Sequence, residues 1–186
     1  PYYKVKQTVV KDVLYDVNFA AMPAVDRCTS CHLGIANPDF KDAEQPYTTH
    51  PDLDLYLTSK SPHPEESFGC TSCHSGRSRG TSFISSAHTP NSPEQKKEWK
   101  EKYHWKPVKH WLQPMLPTRY TQASCFKCHQ NTSDLAGAEK INLGLTLVDR
   151  SGCNGCHVSG NWDSKGKSGP DLRKLNEKSH PDWVAK

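Results

Sequence analysis

The chain has 186 residues, of which 34% are hydrophobic and 24% charged, and its formal net charge is +4. Counting glycine in place of tyrosine leaves about 36% apolar residues, against roughly 45–50% for an ordinary domain, so side chains alone make a thin core. No run of about 18 apolar residues occurs, which excludes a helical membrane span in this sequence. The richest basic run, "EQKKEWKEKYHWKPVKH", interleaves Glu94, Glu98 and Glu101 with its lysines and pairs Glu98 with Lys102 at i,i+4; it reads as a solvated helix face rather than a phosphate-binding patch.

In chain order, residues 1–23 hold no cysteine and read as an arm or a connection to something upstream. Val5, Val9 and Val13 recur at i+4, which suits a helix, although the same run could alternate as a strand. The frame CTSCH follows at Cys28–His32. From Leu33 to Ser67 the chain is rich in proline and acid, which predicts ordered loop with at most a short helix. Within it His50 and His63 each precede a proline, whose ring restricts the preceding residue to extended geometry and so aims each imidazole. A second frame, CTSCH at Cys70–His74, is followed by His88 in "SSAHTP". Ser92-Pro93-Glu94-Gln95 is a capping box with proline at the first helical position, predicting a helix from Pro93 to about His104 with Trp99 and Tyr103 on one face. His104 reads as a surface histidine on that helix. His110 and Met115 precede a third frame, CFKCH at Cys125–His129. Ile141, Leu145 and Val148 at helical spacing predict a helix from about Ala138 into the fourth frame, CNGCH at Cys153–His157, with Gly144 and Gly152 weakening its regularity.

The four frames, Cys28/Cys31/His32, Cys70/Cys73/His74, Cys125/Cys128/His129 and Cys153/Cys156/His157, use every cysteine. A disulfide framework would leave the four histidines without a role. So would Cys₄ zinc sites. With 10 histidines in 186 residues, chance would place His at four prescribed positions roughly once in 10⁵, and Cys-x-x-Cys-His is the pattern of c-type haem attachment. Two thiols add to the two vinyl groups of one porphyrin edge, and the next residue projects to the iron, so His32, His74, His129 and His157 are the expected proximal ligands. Four buried haems would supply the apolar surface that the side chains lack. The predicted fold is mainly α with extensive loops, short helices wrapped around haems, and little or no β-sheet. About eight propionate charges and about one positive charge per ferric centre bring the total near zero when oxidised, so the +4 does not point to nucleic acid.

The frames are unequally spaced, which excludes a tandem solenoid. The short last interval and the new helix predict an arm at 1–23, a three-haem unit at 24–137 and a one-haem unit at 138–186. For the sixth iron ligands, His50, His63 and His88 are the candidates near the first frames; His110 competes with Met115, and Met/His ligation would raise that haem's potential. His180 is the only candidate downstream of the fourth frame.

The stretch "GCNGCHVSGNWDSKGKSGPDL" resembles the opening half of a class I cytochrome c. That resemblance implies that the region of Pro170 accepts a hydrogen bond from the proximal His157, fixing its tautomer. The family's distal methionine has no counterpart, because no Met follows Met115. "SHPDWVAK" reads as a helix start too short to close the pocket, so the fourth haem is expected to be completed from outside 138–186. From about Ala24 onward, "VDRCTSCHLGI", "HPDLDLYLTSKSPHP", "FGCTSCH", "AHTP" and "PMLPTRYTQASCFKCH" resemble bacterial multihaem cytochrome c subunits that accompany membrane cytochrome b or quinol-oxidising complexes. The resemblance implies an electron carrier rather than an enzyme, with redox proteins as partners, at the periplasmic or outer face of the cell. A start at Pro1 fits a processed chain. Two rivals remain open: a multihaem reductase with one open iron, and a protomer of an extracellular cytochrome filament.

Overall fold

The computed structural model describes residues 5–17, 19–111, 113–130, 132, 134–159, 167–175 and 179. It divides into two compact units, Pro1–Ser124 and Cys125–Lys186. The first unit opens with an antiparallel hairpin of β1 (Thr8–Val17) and β2 (Ala20–Asp26), registered from Thr8 opposite Asp26 to Val17 opposite Ala20, with an irregularity between Val10 and Leu14. Its inner end is buried: Val10 faces Ala24, and both are almost inaccessible. Leu14, Tyr15 and Met22, nearer the tip, are exposed.

A 3-10 turn at Cys28–Ser30 leads into the proline-rich loop, where Asn37 accepts from the Asp39 N–H (3.1 Å) to start a second turn at Pro38–Phe40. Two two-residue strands, β3 (Tyr56–Leu57) and β4 (His63–Pro64), pair in parallel and hand the chain to α1 (Glu65–Phe68) and α2 (Thr71–His74). The helix expected over Pro93–His104 is α3 (Pro93–Tyr103). Ser92 Oγ accepts from the Gln95 N–H (3.2 Å), Gln95 Oε1 accepts from the Asn91 N–H (2.6 Å), and His104 ends the helix in a left-handed conformation. A 3-10 segment at Thr118–Lys127 closes the first unit and opens the second.

In the second unit α4 (Glu139–Arg150) half-buries Ile141, Leu145 and Val148 and exposes Leu143 and Leu147. Gly152, at φ 65°, turns the chain into α5 (Cys153–Cys156). Among the described residues the buried apolar side chains are few: Val10, Ala24, Ala87, Trp105, Ala138 and Val158. No helix of these residues is long and apolar enough to cross a membrane.

The expectation of a mainly α fold with little or no β-sheet is overturned. The described residues are 32% helical and 14% strand with two small sheets, a mixed and loop-rich fold. The reason lies in the N-terminal valines. A spacing of four returns a side chain to the same face of a helix, but also, being even, to the same face of a strand. Here the β-branched run Val9, Val10 and Val13 favours the pleated surface, and a partner strand ends two residues before the first cysteine. The His63–Pro64 strand was hidden by its shortness: a two-residue ladder carries no periodicity.

Candidate functional site

Each Cys-x-x-Cys-His frame folds into one helical turn. The histidine N–H donates to the carbonyl of the first cysteine four residues back: His32 to Cys28 at 3.0 Å, His74 to Cys70 at 3.0 Å, His129 to Cys125 at 2.9 Å and His157 to Cys153 at 2.9 Å. In such a turn positions i, i+3 and i+4 share a face. Both cysteines and the histidine of each frame therefore lie on one side, while the two intervening residues point elsewhere. All eight cysteines are free thiols. The turns are held from outside in different ways. The Asp26 carboxylate accepts from the Cys70 N–H and the Thr71 N–H (3.0 Å) and from Thr71 Oγ1 (2.7 Å) ahead of α2, and Gly152 precedes α5.

Two of the frame histidines meet a second imidazole. His32 faces His88 with ring centres 6.3 Å apart and planes at 36°; His74 faces His50 at 6.3 Å and 82°. With a metal–imidazole bond of about 2 Å, and about 1 Å from the bonded nitrogen to the ring centre, two imidazoles on opposite sides of one metal lie about 6 Å apart. Rotation about such an axis is unrestricted, so both interplanar angles are compatible with it. Burial disfavours the charged form of all four rings, and metal ligation requires the neutral one. Burial, then the charges of His50 and His32, pushes His74 down to about 4. Burial, then His88, lowers His32, and burial lowers both His50 and His88.

The second ligand candidates are oriented by backbone carbonyls and aromatic rings. His88 Nδ1 donates to the Phe83 carbonyl (2.7 Å), and the Phe83 ring stacks on it at 4.5 Å and 13°. Trp99 and Tyr103 of α3 pack on Phe83, and Trp105 Nε1 donates to the His88 carbonyl (2.8 Å). A carbonyl can only accept, so the proton sits on Nδ1 and Nε2 is the nitrogen able to ligate a metal. His63 follows the same rule, donating from Nδ1 to the Leu55 carbonyl (3.1 Å) between the rings of Tyr56 and Phe68. So does His157, whose Nδ1 donates to the Pro170 carbonyl at 2.9 Å. His50 lies edge-on to Tyr56 at 5.2 Å, with the Asp52 N–H at a long 3.4 Å from its Nδ1.

The remaining sequence candidates are placed as follows. His110 is exposed, in a left-handed conformation at φ 60°. Met115 bridges to Ser75 across a strand contact, donates its N–H to the Ala87 carbonyl (2.8 Å), and lays its side chain against Gly76, close to His74. His180 and the helix start expected beside it lie outside the described residues. Sequence reasoning missed Asp26 and the aromatic group around His88. The position of Asp26 two residues before the first frame was the only available signal, and spacing alone gave it no partner.

No family model, curated protein or solved structure matches the chain. The reading therefore rests on geometry. Among the described residues no three His, Cys, Asp or Glu side chains converge on one point as a protein-made metal site would require. Opposed pairs of imidazoles are the donor set for a metal whose four equatorial nitrogens come from a macrocycle. A cavity of about 300 Å³ opens beside His32, lined by the apolar Leu33 and Ile35 together with polar and charged groups that include Lys6, Thr8 and Glu65. The residues present fit haem.

Proposed function

We propose that the chain is an electron carrier holding four c-type haems, each by thioethers from one frame: Cys28 and Cys31, Cys70 and Cys73, Cys125 and Cys128, Cys153 and Cys156. The observation that carries the reading is the pairing, at metal-spanning distance, of the frame histidines His32 and His74 with the loop histidines His88 and His50. Haem, when bound, supplies reversible one-electron chemistry at its iron. The chain's own residues hold and tune. His32 with His88, and His74 with His50, would hold two of the haems between paired imidazoles, which would leave those two sites without room for a substrate and favour carriage over catalysis. The carbonyls of Phe83 and Pro170 keep the proton of His88 and His157 on Nδ1 and leave Nε2 for a metal. His129 and His157 would hold the third and fourth haems, and His63 is set in the same tautomer as His88.

The resemblance to cytochrome c subunits of quinol-oxidising membrane complexes supports redox proteins as donor and acceptor, and a location outside the cytoplasm, where covalent haem attachment takes place in bacteria. The test is direct. Expressed in a host that matures c-type cytochromes, the chain is expected to stain for haem after denaturing electrophoresis and to gain the mass of four haems. A gain matching fewer than four, or another metal in place of haem, overturns the proposal.

A further inference from the structure

Asp26 closes the hairpin and is 2% exposed. Three donors converge on its carboxylate: the Cys70 N–H, the Thr71 N–H (3.0 Å) and Thr71 Oγ1 (2.7 Å). No Lys, Arg or His forms an ion pair with it among the described residues. Gly69 also lies against it: an added Cβ there would meet Asp26 Oδ2 and, at 2.8 Å, Val10 Cγ2. Hydrogen bonds to a carboxylate support negative charge, yet burying a charge without a counter-ion is unfavourable relative to an apolar replacement. Packing alone does not call for it.

Its position supplies a use. Asp26 lies two residues before Cys28, and it holds the backbone N–H of Cys70. The thiols of Cys28 and Cys70 are within hydrogen-bonding reach of each other, so the attachment edges of the first two sites converge beside one carboxylate. The carboxylate bonds directly to the backbone of the second frame and sits two residues from the first, so its charge lies close to both. A fixed negative charge in a low-dielectric interior favours the more positive ferric state over the ferrous one, and that lowers a haem's potential.

We propose that Asp26 is a positioning and potential-setting residue, which joins the first two frames and makes their haems a low-potential pair distinct from the other two. This rests on the four-haem reading. The experiment is a potential-resolved spectral titration of the haem-loaded chain with Asp26→Asn and, separately, Thr71→Val. Asparagine keeps an acceptor for the backbone donors but removes the charge, so two of the four midpoints are expected to rise while two stay. Valine keeps the charge but removes a donor that attenuates it, so the same two midpoints are expected to fall. A purely structural role would move both variants in one direction, or move all four midpoints together, and either result overturns the proposal, as do four unchanged midpoints. Should Asp26→Asn load fewer than four haems, the direction seen with Thr71→Val decides. Failure of the four-haem reading shows earlier, as a wild-type chain without the haem mass.

Discussion

The two imidazole pairs differ in one respect that spectroscopy reads. In the His32–His88 pair the ring planes are 36° apart, and in the His74–His50 pair 82°. Near-perpendicular axial imidazoles leave the two π-type d orbitals of ferric iron almost degenerate, which increases the anisotropy of its low-spin signal. Magnetic resonance of the oxidised, haem-loaded chain is expected to show a highly anisotropic component that disappears in His50→Ala, and a rhombic component that disappears in His88→Ala. Each variant should also open one iron to carbon monoxide. If both variants remove the same component, or neither opens an iron, the pairing is wrong. The frames were legible from their fixed spacing, and His50 and His63 from the proline that follows each; His88, followed by Thr89, carried no such mark. The partner of each was not legible: His50 is closer in sequence to His32 than to His74, and only the folded loop brings it to His74 instead.

At the scale of elements, the junction between α1 and α2 depends on Gly69. Its φ of 62° with ψ of −172° is a backbone conformation open essentially to glycine alone, and its missing Cβ is what admits the Asp26 carboxylate. Gly69→Ala combines backbone strain with a clash against a buried carboxylate and Val10. A loss of at least about 2 kcal/mol is expected in the denaturant midpoint of the haem-loaded chain; a change below about 0.5 kcal/mol would mean that the junction tolerates a side chain and that Asp26 is not held as described. Helix α3 was legible from Ser92-Pro93-Glu94-Gln95 because capping is local chemistry, and α4 from its apolar spacing. The hairpin was ambiguous because evenly spaced valines satisfy both periods, and the pairing partner that decides between them lies across the turn.

For the molecule as a whole, stability is coupled to pH through its buried imidazoles. Burial, assisted by His50 and His32, holds His74 down at about 4 in the folded state, whereas the unfolded chain accepts a proton at the ordinary value of about 6.5. The contribution is therefore complete above about 6.5 and is lost as pH falls towards 4; His32, His50 and His88 are shifted in the same direction. In the haem-free chain, between pH 7 and 5, His74 alone should cost about 2 kcal/mol, seen as a falling denaturant midpoint. A midpoint that is flat or rises over that interval contradicts the burial described here. The two pairs also have an order along the chain: His32 and His88 enclose His50 and His74, like one bracket inside another. The inner contact closes the shorter loop and so carries the smaller entropic cost, and once made it shortens the outer one. A chain delivered from its N-terminus presents the first frame with His50 well before His88 exists. If the frames hold haem as proposed, His50 would be the first imidazole available to His32, and the arrival of His74 would withdraw it. The nesting would then make assembly sequential, with completion of the second site as the step that leaves the first to His88.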